Sequence, residues 1–163
     1  MTTKEQRFTH MVQAEKSTIY SVCMMFADER TDVNDLVQDA LVNLWEGFDS
    51  FEGRSDIKTW VYRVTLNTCL SMDRKRKRAK VVSIEMTDAA QVNTAEQGHP
   101  MRQYRQLHER IHQLGPFDRA IVLLWLEDLS YEEIAAIVGT SVKNVSVRLI
   151  RIKEQLKKMS DHD

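Results

Sequence analysis

Residues 51–78 read FEGRSDIKTWVYRVTLNTCLSMDRKRKR, and they predict one long helix that ends in a block of bases. Apolar or weakly polar residues recur here at steps of three and four, which is the spacing of one buried helix face. That predicted face consists of Ile57, Trp60, Val61, Val64 and Thr68. The basic block that follows consists of Arg74, Lys75, Arg76, Lys77 and Arg78.

The other side of this helix is expected to be exposed and to suit nucleic acid. Cations contact phosphates, a flat ring stacks on an unpaired base, and an amide hydrogen-bonds to base edges. A solvated basic helix end, in which the cations complement the helix dipole, is the alternative interpretation. The side chains expected on this exposed side are Lys58, Tyr62, Arg63, Asn67 and Arg74.

Composition indicates a helical globular protein with one ordinary domain or two small ones. The 163 residues are 42% hydrophobic and 29% charged, and they include only five glycines and two prolines. The formal net charge of −1 gives no global attraction to nucleic acid. Residues 141–158, however, carry a local charge of +5, from six lysines and arginines and one glutamate.

The cysteine content and the N-terminus indicate the compartment. Cys23 and Cys69 lie far apart in apolar contexts without CxxC spacing, which favours reduced, buried thiols. The N-terminus lacks the apolar core of a signal peptide, and no run of about 18 apolar residues occurs. We therefore expect a cytoplasmic protein with no direct membrane insertion.

The first 50 residues predict two helices. One amphipathic helix is expected from Phe8 to Phe26, and Asp32 is placed to cap a second helix by accepting from first-turn amides. One face of the second helix carries acids and amides, which suits a basic partner surface as well as solvent. That face consists of Asp35, Gln38, Asp39, Asn43 and Glu46, and it ends near Trp45.

These motifs together resemble region 2 of bacterial sigma factors of the extracytoplasmic-function (ECF) type. Residues 35–45 are similar to the DLxQD…W signature of that region, and residues 51–74 are similar to its continuation. In the family, the first helices dock on the largest RNA polymerase subunit, and the later helix melts the minus-ten promoter element. The resemblance implies polymerase contacts by Asp35, Leu36, Gln38, Asp39 and Trp45. It implies minus-ten DNA contacts by Lys58, Tyr62, Arg63, Asn67, Arg74, Arg76, Lys77 and Arg78.

A second motif favours a different function. Residues 108–112 read HERIH, which satisfies HExxH and extends through Gly115 to Asp118 as HExxHxxGxxD. Two histidines at this spacing bind zinc in peptidases, with the glutamate as general base. Against a peptidase, no strand is predicted ahead of the motif, and Pro116 is typical of the first residue of a helix. A zinc peptidase is therefore the less favoured alternative.

The C-terminal part predicts a helix-turn-helix. Ser130 and Glu133 form a capping box that begins a short helix, Gly139 ends it, and Ser141 begins a longer one. The buried side of the longer helix is expected to consist of Val142, Val145, Leu149, Ile152 and Leu156. Its candidate DNA contacts are Ser141, Lys143, Asn144, Ser146, Val147, Arg148 and Arg151. Two-helix turns also occur in proteins that never bind DNA, but the local charge favours DNA here.

This C-terminal segment is similar to sigma region 4, which binds the minus-thirty-five element. The two resemblances imply an all-α protein with region 2 over residues 1–78 and region 4 over 102–163, joined by a flexible linker over 79–101. They imply a non-enzymatic transcription initiation factor that binds core RNA polymerase and promoter DNA without a cofactor or metal. An anti-sigma factor, often membrane-bound, is implied as a further partner, and the free chain is expected to be a monomer. A stand-alone helix-turn-helix regulator is the alternative.

Overall fold

The computed structural model describes residues 2–28, 32–51, 53, 56–82 and 99–161. Within those residues the chain forms eight α-helices, which confirms the all-α prediction. They are α1 (Lys4–Ala14), α2 (Lys16–Phe26), α3 (Val33–Phe48), α4 (Ile57–Val82), α5 (His99–His112), α6 (Pro116–Leu126), α7 (Tyr131–Val138) and α8 (Val142–Asp161). The chain divides into two compact units, residues 1–72 and 73–163. Most of the predicted linker, residues 83–98, lies outside the described residues.

The N-terminal helix that was expected as one element is two helices, so that prediction was wrong. Glu15 separates α1 from α2 because its backbone leaves regular helix geometry, with φ −106° and ψ 14°. The ring of Phe8 on α1 meets the ring of Trp45 edge-on at 5.1 Å and that of Phe48 at 5.5 Å. α2 supplies the larger buried surface, through Thr18, Ile19, Val22, Cys23, Met25 and Phe26.

α3 begins where its sequence predicts. The Asp32 carboxylate accepts a hydrogen bond from the Asn34 amide at 3.1 Å, which satisfies one of the free donors of the first turn and confirms the cap. The apolar stripe of the helix is buried at Leu36, Val37, Ala40 and Leu44. The acid and amide face consequently points away from the core.

The buried face of α4 is rotated about the helix axis relative to the predicted face. Val61 and Thr68 are buried as expected, whereas three other members of the predicted face are only half-buried: Ile57, Trp60 and Val64. The buried arc is completed by Tyr62, Thr65, Leu66 and Cys69. Successive residues are about 100° apart around a helix, so the buried arc is displaced by about one residue. α3 contributes to it through Asn43, whose amide donates to the Thr68 hydroxyl at 2.8 Å.

The two cysteines meet in the core between α2 and α4. Cys23 and Cys69 are both free thiols with no exposed surface, which confirms that they are buried. A hydrogen bond from the Cys69 side chain lowers the pKa of the Cys23 thiol, against the opposing effect of burial. A sequence separation of 46 residues had given no sign of this contact.

The second unit is built around α6, which is buried along most of its length. Pro116 is its first residue, as the sequence predicts. Arg119 is only 7% exposed, and its guanidinium donates to the backbone carbonyls of His112 at 2.9 Å and Leu114 at 3.2 Å. These bonds satisfy carbonyls that α5 leaves open at its C-terminal end, and they tie α5 to α6.

α7 and α8 form the predicted helix-turn-helix. The Ser130 hydroxyl accepts from the Glu133 amide at 3.1 Å, and the Glu133 carboxylate accepts from the Ser130 amide at 3.3 Å, which confirms the capping box. Gly139 ends α7 in the left-handed conformation with φ 77°. Val145 is fully buried at the crossing, but Val142 is 40% exposed and its predicted burial was wrong. Val142 stands in the first turn of α8, before that helix meets its neighbours.

Candidate nucleic-acid interface

One face of α8 is exposed, basic and regular in spacing. Lys143, Val147 and Arg151 follow one another at steps of four, which places them side by side on the helix surface. Neither Lys143 nor Arg151 has an ion-pair partner in the part of the chain that the structure describes. Ile150, 58% exposed, lies in the same arc and was missed by the sequence reasoning. The sequence did contain a signal for its position, because Ile150 follows Val147 by three residues and Lys143 by seven, which places it on the same helix face.

Two other candidates of the second unit order the start of α8. The Ser141 hydroxyl accepts from the Asn144 amide at 3.1 Å, which is the bond of a helix N-cap. The Asn144 side-chain amide donates to the Thr140 hydroxyl at 2.8 Å. These bonds hold the turn and the first turn of α8 in one conformation. Ser146, a further candidate, is half-buried.

A second basic stripe lies on α4, and in the first unit it consists of the exposed residues Arg63 and Asn67. Arg74 and Arg78, which are also exposed residues of α4, belong to the second unit. Lys58 is exposed but stands roughly 140–180° around the helix from Arg63 and Asn67, so the structure does not bring it together with them. The side chains of Arg76 and Lys77 lie outside the described residues.

Tyr62 is not part of this stripe, and its predicted exposure was wrong. The side chain has no exposed surface and is, within the part of the chain that the structure describes, the largest of the fully buried side chains. Adjacent residues of a helix point about 100° apart, so Tyr62 and Arg63 do not share a face. An aromatic ring is the group that gains most from burial, and it occupies the arc that packs on the core.

α3 presents the acidic surface that the sequence predicts, with two exceptions. Asp35, Gln38 and Asp39 are exposed and lie within the first two turns. Leu36 has no exposed surface, so it supports this face from the core and cannot contact a partner directly. Trp45 is half-buried, and the Lys4 ammonium lies 3.9 Å from its ring centroid. The Lys4 ammonium is itself held by the Asp49 carboxylate at 2.8 Å.

Comparison with known proteins identifies both units. Sigma-70 region 2 matches residues 11–79, and Sigma-70 region 4 matches residues 104–156. The ECF RNA polymerase sigma-E factor of Escherichia coli K12 is 33% identical over 137 residues, covering 77% of this chain and 72% of that protein. The chain belongs to the ECF sigma factors. Its function is that of an alternative sigma factor in transcription initiation, and it is not an enzyme.

Other relatives extend the likeness of this sigma factor over nearly the whole chain. The ECF sigma factor SigE of Mycolicibacterium smegmatis is 26% identical over 152 residues, covering 90% of this chain and 59% of that protein. A crystal structure of the sigma factor RpoE with the anti-sigma factor NepR, from Bartonella quintana, matches at a TM-score of 0.76 and 25% identity over 96% of this chain and 98% of that one. CnrH, in complex with the cytosolic domain of CnrY, shares the fold at a TM-score of 0.71 and 23% identity over 98% of this chain and 90% of that one.

Arg148 of this sigma factor holds helices together. Its guanidinium bonds the Asp118 carboxylate at 2.8 Å, and its central carbon lies 4.7 Å from the centroid of the Phe117 ring. Both partners belong to the first turn of α6. Arg148 therefore fixes α8 against α6, a role that the prediction of a DNA contact did not foresee. No sequence spacing signals a partner 30 residues away.

The HERIH motif does not build a peptidase site in this sigma factor. The Asp118 carboxylate, the third ligand of the predicted pattern, is bonded to Arg148. Within the described residues there is no group of three or more histidine, cysteine or acidic side chains that would hold a metal ion.

The described helices also include none that is long and apolar enough to cross a membrane. Burial of the His108 ring lowers its pKa, and the positive charge of Arg119 lowers it further.

Proposed function

We propose that the exposed face of α8 reads the minus-thirty-five promoter element. Lys143 and Arg151 would contact phosphates or base edges, and the methyl groups of Val147 would contact a thymine methyl group in the major groove. The observation that carries this assignment is the alignment of Lys143, Val147 and Arg151 on a helix whose start is capped by Ser141 and whose middle is fixed by Arg148. A helix held in this way needs no ordering of its backbone on binding, so the cost is limited to the side chains that contact DNA.

The stripe on α4 is proposed to hold the minus-ten element once the strands separate. Arg63 provides a cation, and Asn67, one turn further along α4, provides an amide that can pair with a base edge. Arg74 and Arg78 provide further cations on the part of α4 that belongs to the second unit. Because Tyr62 is buried, stacking of a captured base would fall to the planar guanidinium groups of the stripe. Lys58 would contribute at most to a separate phosphate contact.

The acidic surface of α3 is proposed to dock on core RNA polymerase. Asp35, Gln38 and Asp39 are exposed on one stable helix and offer carboxylate and amide oxygens to a basic partner. Trp45 would act indirectly, because Lys4 covers its ring.

The remaining assignments concern partners and organisation. Since the RpoE relative was solved with the anti-sigma factor NepR, we propose that an anti-sigma factor, either soluble or anchored in a membrane, also controls this chain. The free protein would be a cytoplasmic monomer. Functional bounds of 1–78 for region 2, 79–101 for the linker and 102–163 for region 4 are part of this proposal.

Run-off transcription by core RNA polymerase on a pooled promoter library tests these assignments. The full chain should give specific new transcripts, and Arg151→Ala should reduce binding of duplexes that carry the upstream element about tenfold. Asn67→Ala should impair strand opening, read by permanganate reactivity of unpaired thymines, while core binding is unchanged. Lys16→Ala, an exposed lysine on α2 outside both stripes, is the matched control. Equal loss of duplex binding by Arg151→Ala and Asn67→Ala would contradict the division between α8 and α4.

A further inference from the structure

One polar side chain of α3 reaches across to α4. The Asn43 side-chain amide donates to the Thr68 hydroxyl at 2.8 Å, and that hydroxyl donates to the backbone carbonyl of Val64, also at 2.8 Å. The bond to the carbonyl one turn back fixes the hydroxyl of Thr68 and leaves its lone pairs for the Asn43 amide. Thr68 is only 5% exposed, so water competes little for this contact.

Asn43 lies at the edge of the acidic surface of α3. It follows Asp39 by four residues, so the two side chains are neighbours on the helix surface. Both are exposed, whereas Leu44, the next residue along the chain, has no exposed surface. Asn43 therefore stands between the surface that is proposed to dock on polymerase and the contact with α4.

Thr68 lies at a corresponding border on α4. It directly follows Asn67, which is exposed and is proposed to pair with a base edge. Because adjacent residues of a helix point about 100° apart, one step separates the proposed base contact from the buried hydroxyl. A rotation of α4 by about 20° would move the tip of the Asn67 side chain by about 2 Å, which is enough to lose a hydrogen bond to a base.

A second contact between the same helices lies about two turns earlier on α4. The ring centroids of Trp60 on α4 and Phe48 on α3 are 6.4 Å apart. Burial of apolar rings is non-directional, so this contact permits small rotations of α4 about its axis. A hydrogen bond weakens steeply when its angle departs from linearity. Of these two contacts, the bond between Asn43 and Thr68 is therefore the one that sets the rotation of α4.

We propose that Asn43 is a positioning residue for promoter opening, which acts through Thr68 to hold α4 in the rotation that presents Asn67 to the separated strand. This inference rests on the proposed function, because it takes α3 to dock on core RNA polymerase and α4 to hold the minus-ten element. Polymerase docked on Asp39 restrains the same part of α3 that carries Asn43. The bond to Thr68 thus links docking on one helix to opening by the next.

Two substitutions remove this bond with little change of shape. Asn43→Leu removes the amide donor, and the Thr68 hydroxyl keeps its bond to the Val64 carbonyl. Thr68→Val removes the hydroxyl, and the amide of the exposed Asn43 then bonds to water. Because each change leaves the remaining partner hydrogen-bonded, a double-mutant cycle of the two measures the bond itself.

The test is promoter opening by holoenzyme reconstituted from core RNA polymerase and the full chain, on a promoter selected by run-off transcription. Permanganate reactivity of the minus-ten thymines should fall about two- to tenfold for Asn43→Leu and for Thr68→Val. The double variant should show no further loss, because both changes break the same bond. Core binding, measured by surface plasmon resonance, should be unchanged. Gln13→Leu, which replaces an exposed amide on α1, is the matched control.

Urea unfolding of the same variants distinguishes positioning from a purely structural role. A bond that only stabilises the fold predicts a lower unfolding midpoint for Asn43→Leu but wild-type opening by the folded protein, and that result would overturn the inference. Additive losses in the double variant would also overturn it, since the two residues would then act independently.

Asn67→Ala in the same assay separates this inference from the function on which it rests. Wild-type opening by Asn67→Ala would contradict both the proposed role of α4 and the inference. Impaired opening by Asn67→Ala together with wild-type opening by Asn43→Leu would contradict the inference alone. Impaired opening by both, with core binding intact, is the expected result.

Discussion

Adjacent positions on α4 have opposite surroundings. Tyr62 has no exposed surface, whereas Arg63 stands in the exposed stripe. The ring of Tyr62 fills part of the core that α4 shares with α2 and α3, and the arginine beside it faces outward. A single residue step around the helix thus separates a buried side chain from an exposed one.

This contrast predicts opposite results for the two truncations. Tyr62→Ala should lower the free energy of unfolding of the first unit by about 3–5 kcal/mol, because it removes a fully buried ring and leaves a cavity. Arg63→Ala should change that free energy by less than about 0.5 kcal/mol and should weaken promoter opening instead. Urea unfolding followed by circular dichroism measures the first effect, and permanganate footprinting measures the second. A stable, opening-defective Tyr62→Ala protein would show that the ring acts on DNA.

The ion pair between Arg148 and Asp118 is a second feature that a change of single residues can test. Both side chains are partly exposed, so solvent screening limits the coupling free energy to about 0.5–1 kcal/mol. A double-mutant cycle with Arg148→Ala, Asp118→Ala and both together measures it by urea unfolding. We expect Asp118→Ala, which removes no DNA contact, to reduce duplex binding as well. Loss of duplex binding in Arg148→Ala alone would instead identify a direct DNA contact.

At the scale of the element, the helix-turn-helix depends on how each helix begins and ends. The capping box at Ser130 and Glu133 starts α7, and the Ser141 hydroxyl starts α8. Between them the chain reverses through Gly139 in the left-handed conformation, with its amide bonded to the Ala135 carbonyl. These local bonds set the crossing that buries Val145.

Gly139 therefore offers a clean test of the turn. A Cβ atom at this position would meet nothing within 4 Å, so Gly139→Ala should cost only the backbone strain of φ 77°, about 1–2 kcal/mol. Gly139→Asn should cost less, because asparagine tolerates this conformation better than alanine does. Thermal unfolding of the two variants compares them directly. Equal stability of the alanine variant and the wild type would show that the turn can relax to negative φ.

At the scale of the whole molecule, the chain divides its surface by charge. α3 presents carboxylates, whereas α4 and α8 present arginines and lysines. The chain therefore carries surfaces of opposite charge although its formal net charge is only −1. Such a distribution suits simultaneous contact with a protein partner and with DNA.

Charge reversal separates the two kinds of contact. Asp35→Lys combined with Asp39→Lys should abolish or strongly weaken the complex with core RNA polymerase, measured by gel filtration or surface plasmon resonance. Duplex binding through α8 should be unchanged, because that face is on the other unit. The control is Glu109→Lys, which reverses the charge of an exposed residue on α5, outside the acidic surface of α3. An intact polymerase complex after the double reversal would contradict the assignment of α3.

The helical class, the family and the starts of α3, α6, α7 and α8 follow from the sequence alone. Periodicity marks which residues are apolar, and Asp32, Ser130, Pro116 and Gly139 act through bonds and conformations within a few residues, so their effects can be read locally. The motifs of both regions are likewise local.

Tertiary packing alone sets which arc of α4 is buried, brings Cys23 to Cys69 and pairs Arg148 with Asp118. These features depend on the directions from which other helices cover a given helix, and no spacing within that helix records those directions. The burial of Tyr62 and Leu36, and the hydrogen bond between Asn43 and Thr68, follow from the same packing.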